Sequence, residues 1–298
     1  MRRAFTLLEL IFVIVISSIL AIGSFKALGA LYLRSAKAKA ITNLSLESQI
    51  VLDQLSALIY NRIPNSLIGY SPTSGSPGTC ESITELSVSR KILEWIAIDE
   101  ANLTSRHYDG FVDLNASVKY ILSALDINKS AMGDVTNLNL VFAGTFDEGS
   151  DELSACNGAF GWHGNDSNLS FNFSIPENNK IEITDSVKPE FIYEKYYLAT
   201  TAYAVARGEN ISDISNCNLS KSDFSDFNNT LFLFYNYRPY KDETFCADGG
   251  TGDVSVLAKH VSSFRVTLEN ETIRLAIDMN KTINDRKDVH ISKQKAVF

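Results

Sequence analysis

Residues Phe5 to Phe25 read FTLLELIFVIVISSILAIGSF, an apolar run in which Glu9 is the only charge. A run of about twenty such residues spans roughly 30 Å of hydrocarbon as an α-helix, so it predicts a membrane segment over 5–25. No Pro interrupts the chain from Leu31 to Arg62. Within that stretch Ile41, Leu44, Val51, Leu52, Leu55, Leu58 and Ile59 recur at a spacing that puts them on one helical face. Together the two stretches predict one helix over 5–62, roughly 87 Å long at ~1.5 Å per residue. Its first half would lie in the membrane and its second would pack on a globular body over 63–298. The alternative is a separate core helix joined to the anchor by a short linker. Gly23 and Gly29 are the expected points of bending or local melting, and Pro64 marks the stop.

Beyond Pro64, the segment SPTSGSPGTC (Ser71 to Cys80) predicts a loop from its Pro, Gly and Ser content. Strands are predicted at Asn137 to Ala143, Leu169 to Ile175, Lys180 to Thr184, Phe191 to Tyr197, Thr230 to Tyr237, Ser263 to Leu268 and Thr272 to Asp278. These runs are rich in β-branched and aromatic residues, and the later ones alternate. Lys91 to Asp99 and Val118 to Leu125 are apolar stretches of either type. Val256 to Met279 predicts a short helical turn, a strand, a tight turn at Glu269 to Glu271, and a second strand. The pattern gives an α+β fold, with a long amino-terminal membrane-spanning helix packed against an antiparallel sheet.

Composition narrows the function. With 45% hydrophobic and 21% charged residues in 298, the body has enough apolar material for a substantial core. The formal net charge of −8 excludes a strong electrostatic footprint for phosphate backbones, so the body is not expected to bind nucleic acid. Four cysteines, Cys80, Cys156, Cys217 and Cys246, follow the apolar run and form no C-x-x-C pair. An even count beyond a membrane anchor suggests disulfides in an oxidising compartment, and separate buried thiols are the alternative. Three connectivities are open. Joining near neighbours in sequence gives Cys217 with Cys246 and Cys80 with Cys156.

Flanking charge does not fix the orientation of the span, since Arg2 and Arg3 precede it and Lys26, Arg34, Lys37 and Lys39 follow it. A conventional signal peptide cleaved near Ala27-Leu28-Gly29 is disfavoured, because the supposed site lies inside a continuing helical pattern. A carboxylate at position 9 also costs about 2.5–3.5 kcal/mol on insertion scales, so Glu9 needs a partner or a function. The segment Arg2-Arg3-Ala4-Phe5-Thr6-Leu7-Leu8-Glu9 resembles the class III signal of type IV prepilins and type II secretion pseudopilins. The resemblance implies a leader over 1–4, cleavage between Ala4 and Phe5 by a prepilin peptidase, and N-methylation of Phe5. Ala4 stands where that family usually has Gly. Cleavage would leave a positive amine on Phe5. Glu9 would neutralise such an amine on a neighbouring subunit and so set subunit register.

The resemblance further implies a bacterial inner-membrane, single-pass protein with its body in the periplasm or at the cell surface. Its partners would be other pilins or pseudopilins, the prepilin peptidase and an inner-membrane assembly platform. The closing segment and the large size resemble the J-type minor pseudopilins and W-type minor pilins, whereas Glu9 argues against the K-type tip subunit. The expected role is to initiate or cap a filament for secretion, DNA uptake or motility. A pilin-anchored adhesin is the alternative.

Enzymatic chemistry has little support in the sequence. His107, His163, His260 and His290 lack metal-ligand spacing, and no G-x-S-x-G, P-loop or dinucleotide fingerprint occurs. No cofactor is implied apart from calcium, for which Asp147 and Asp151, and Asp248 and Asp253, lie in two oxygen-rich loops. Six Asn-x-Ser/Thr triplets, at Asn102, Asn115, Asn128, Asn168, Asn228 and Asn280, carry an acid two residues before the Asn. That is the longer acceptor pattern of bacterial oligosaccharyltransferases.

Overall fold

The computed structural model describes residues 7–73, 76–82, 90–144, 156, 158–211, 214–269, 272–283 and 287–297. Helix α1 runs unbroken from Leu7 to Tyr60, 54 residues or roughly 81 Å, passing through Gly23 and Gly29 without a break. By compactness the chain divides into Met1–Glu47 with Asn280–Ile291, and Ser48–Met279 with Ser292–Phe298. In the first unit the apolar turns of α1 are exposed, with Ile19 and Leu20 each 65% accessible. The Ser18 hydroxyl donates to the Ile14 carbonyl at 2.7 Å, which satisfies it inside the apolar run.

Of the expected helix face, Leu44, Val51, Leu52, Leu55 and Ile59 are at or below 2% exposure, whereas Leu58 is half-buried and Ile41 is exposed at 41%. Just past Tyr60 the chain is stitched to a strand, β3 (Ile92–Ile98). Ile63 N donates to Ile96 O at 2.8 Å, and Ile98 N donates to Asn61 O at 3.0 Å.

That strand lies inside a seven-stranded antiparallel sheet. Two strands precede it, β1 (Ile68–Thr73) and β2 (Ser76–Ser82), and α2 (Glu100–Thr104) follows it. Then come β4 (Val112–Val118), β5 (Ile121–Ala124), α3 (Lys129–Met132), β6 (Asn139–Phe142), β7 (Phe173–Ser174) and β8 (Lys180–Ile183). The remainder are β9 (Tyr196–Arg207), β10 (Leu231–Tyr237), β11 (Asp253–Ala258), β12 (Val261–Glu269), β13 (Thr272–Ile283) and β14 (Lys287–Val297). The large sheet has the order β11-β10-β9-β3-β1-β2, with β6 also pairing β9. A second sheet is β4-β5-β8-β7 and a third is β12-β13-β14.

Four sequence expectations are corrected. The strand expected at Leu169 to Ile175 forms only over Phe173–Ser174. The described residues of the Ser71 to Cys80 segment are paired strand rather than loop: Tyr70 pairs Cys80 and Ser71 pairs Thr79. Its ladder skips between Ser71 and Thr73, which accommodates Pro72 where an N–H is missing. The turn expected to be helical at Val256 is instead the edge strand β11, with Val256 opposite Phe232. The strand expected at Phe191 to Tyr197 starts at Tyr196 and continues to Arg207, through an alanine-rich stretch whose sequence reads more as helix than as strand.

Strand β9 joins two cores. Tyr196 and Leu198 belong to an apolar cluster with Val112, Leu122, Leu140 and Phe171. Ala199 to Ala206 contribute to another with Ile92, Ile96, Phe232 and Phe234. Both disulfides border the latter. Cys80–Cys156 and Cys217–Cys246 have Cα separations of 5.8 and 5.2 Å and sequence separations of 76 and 29. Closing loops of those sizes stabilises by about 4.5 and about 3.5 kcal/mol in the chain-entropy treatment.

Candidate functional site

Among the residues of the amino-terminal signal, Ala4 and Phe5 lie outside the described residues. Glu9 is in the first turn of α1 and exposed. The positive end of the helix dipole favours a carboxylate there.

The body holds a polar cluster that sequence reading does not reveal. Glu94 sits mid-strand on β3, paired with Ile68 on β1 and Ala204 on β9, and is 1% exposed. Its Oε1 is 2.9 Å from His163 Nε2, and its Oε2 accepts a hydrogen bond from the Tyr237 hydroxyl at 2.9 Å. The other imidazole nitrogen, Nδ1, stands 3.4 Å from Asp248 Oδ2, a Coulombic distance that is long for a hydrogen bond. Tyr70 stacks on the ring at 3.6 Å and 14°.

Local backbone chemistry delivers each group. His163 adopts a left-handed conformation (φ 52) directly after Trp162, in a turn opened by Gly161 (φ 78). A Cβ at Gly161 would come within 2.4 Å of the Pro239 carbonyl oxygen, so only glycine allows the turn to approach so closely. Asp248 closes a short 3₁₀ turn that begins at Cys246, which fastens it to the Cys217 disulfide.

Burial disfavours a charge on His163, but the carboxylates of Glu94 and Asp248 outweigh it and raise the imidazole to about 10. Burial and the neighbouring Glu94 carboxylate push the Tyr237 phenol well above its ordinary value. A histidine that stays protonated at neutral pH is a poor general base. The arrangement is therefore a cation clamped between two carboxylates and a tyrosine, and what it does is hold β1, β3, β10 and two loops together.

This assignment carries a sign. His163 is raised from 6.5 to about 10, so its contribution to stability is complete below the unfolded value near 6.5. It is lost as pH rises through about 10. The linked stabilisation is on the order of 3–5 kcal/mol. The chemical-denaturation midpoint should fall between pH 6 and pH 9.5, and in His163→Gln that slope should largely disappear. A native chain with equal midpoints at the two pH values would contradict the assignment.

Asp147 and Asp151 lie outside the described residues. Asp248 faces His163, and Asp253 accepts from Asn236 Nδ2 at 2.5 Å. Among the described residues no three His, Cys, Asp or Glu side chains group as metal ligands. The one sequence signal for the His163 cluster was Glu94 itself, a carboxylate inside KILEWIAI, where a strand buried on both faces demands a partner.

Residues 1–25 match the family model described as the prokaryotic N-terminal methylation motif. No curated protein and no solved structure matches the chain. The motif and the exposed apolar turns of α1 agree with one another, and the chain bears a type IV prepilin-like signal ahead of an α+β architecture of one long helix and a disulfide-bonded antiparallel body.

Proposed function

We propose that the chain is a minor pilin or pseudopilin, processed between Ala4 and Phe5 and assembled with sister subunits into a type IV filament that it initiates or caps. The body faces the periplasm and α1 anchors it in the inner membrane until assembly. The observation that carries this reading is continuity. The methylation motif at 1–25 runs into a single helix whose apolar turns are exposed and which, over Val51 to Ile59, buries one face in the body. An anchor built for lateral packing in a filament needs that combination, since the exposed turns serve lipid first and neighbouring helices later.

Mass spectrometry of the mature chain should find an amino-terminal methyl-Phe5. Loss of Arg2 and Arg3 moves the formal charge from −8 to −10, termini aside. An intact Met1, or a cut near Gly29, would defeat the reading.

A further inference from the structure

The sequence contains twelve Asn-x-Ser/Thr triplets, and six have an acid at the second position before the Asn. With 35 acidic residues in 298, chance places an acid there in about one triplet of eight, so the coincidence calls for a cause. The structure separates the six. The Asn102 side chain is held by Asp99 at 2.6 Å and by His107 at 2.8 Å. The Asn128 side-chain oxygen caps α3 by accepting from Ala131 N. The hydroxyls that complete the Asn168 and Asn228 triplets, on Ser170 and Thr230, are buried. The Asn280 triplet lies on β13, the central strand of its sheet, and its acid, Asp278, is paired with Arg265 at 2.9 Å.

Asn115 differs. It lies on β4, the terminal strand of the β4-β5-β8-β7 sheet, where the register jumps from Asp113 opposite Ser123 to Val118 opposite Ile121. Residues 114–117 therefore project as a bulge facing Leu122 alone. Asp113 holds this bulge: its Oδ1 accepts from Asn115 N at 2.9 Å and from Ala116 N at 3.2 Å, and its carbonyl accepts from the Ser117 hydroxyl at 2.6 Å. None of these bonds uses the Asn115 amide, and Asn115 is exposed. Leu114, Asn115 and Ala116 are thus presented at the surface on a preformed turn, between the half-buried Asp113 and Ser117, whose hydroxyl also accepts from Ser123 N at 3.0 Å.

The same edge strand carries the exposed apolar side chains of Val118 at 69% and Leu114 at 41%, and Ile121 on the adjoining β5 is exposed at 48%. A terminal strand bearing such a patch invites pairing with other chains unless something covers it. We propose that Asn115 accepts an N-linked oligosaccharide, which covers this edge. The inference rests on the reading that the body is exported. In the transfer, the Asn115 amide nitrogen forms a bond to the anomeric carbon of an oligosaccharide carried on a lipid diphosphate. The bond from that carbon to the diphosphate oxygen breaks, the lipid diphosphate leaves with its electron pair, and the amide gives up one proton to a base of the transferase.

The test is peptide mapping of the full chain purified from its source cells, with the amino terminus read in the same sample. The peptide from His107 to Lys119 should carry saccharide mass increments, and Asn115→Gln should abolish them. Asp113→Asn keeps an oxygen for the turn but removes the charge, and should lower occupancy roughly tenfold or more, as expected on losing a charge-assisted contact to the transferase. A bare peptide in a sample that begins with methyl-Phe5 overturns the glycan and leaves the filament reading standing. A bare peptide with an intact Met1 removes both. Increments that persist in Asn115→Gln, or that occur only at another triplet, overturn the choice of Asn115.

Discussion

Glu9→Ala should enter the membrane at least as well as the native chain and yet be lost from filaments. Removing a carboxylate from an apolar span relieves about 2.5–3.5 kcal/mol on insertion scales, so membrane fractions should contain undiminished protein. Assembly depends on a different balance. In the proposed filament the amine that cleavage leaves on Phe5 must be neutralised while helices close around it. A buried charge deprived of its partner costs about 3–5 kcal/mol, more than a hundredfold in an assembly equilibrium. Shear fractions should show the mutant depleted by that order, with both disulfides intact. Native levels of Glu9→Ala in filaments would remove Glu9 as the subunit-register device and favour a tip position with no subunit above it.

Glu94→Ala should be the most damaging single change in the body. It leaves His163 a buried cation on the Glu94 side and the Tyr237 hydroxyl without its acceptor, in a region where Glu94 is 1% exposed. Stranding one member of such a pair costs about 3–5 kcal/mol. Glu94→Gln, which keeps the shape and one acceptor oxygen, should cost less. Denaturant titration of the detergent-solubilised full chain under non-reducing conditions reads both values. In the double variant Glu94→Gln/His163→Gln the losses should be clearly less than additive, since the second change removes the charge that the first left exposed to a dry interior. Strict additivity, or a loss below about 1 kcal/mol in Glu94→Ala, would show that the cluster is not a coupled ion centre.

The parts of the fold legible in the sequence are those whose periodicity is set by one neighbour. The buried stripe of Val51, Leu52, Leu55 and Ile59 follows helical spacing because one face of α1 meets the body there. Strands such as Leu231–Tyr237 declare themselves by bulky side chains. The segment of β9 from Ala199 to Ala206 does not, because it is sandwiched between β3 and β10 with small residues packed closely, and small residues carry no β signal. β14 escaped notice for the opposite reason. Its lysines serve the helix surface, with Lys295 pairing Asp53 at 2.6 Å, so its polar character reads as tail rather than strand. The amino-terminal signal was readable because it is contiguous. The His163 cluster was not, because its members come from positions 70 to 248 and only the folded sheet brings them together.

Strand β9 has a consequence for how the body yields. Its twelve residues close one core with Tyr196 and Leu198 and the other with Ala199 to Ala206, and it is hydrogen-bonded along its length to β6, β3 and β10. The halves meet at Ala199, which pairs with Asn139 of β6 and with Ile98 of β3, and this shared residue links what would be two foldons into one cooperative unit. Under tension along the proposed filament such a body would resist as a single element until it fails as a whole, rather than paying out chain piece by piece.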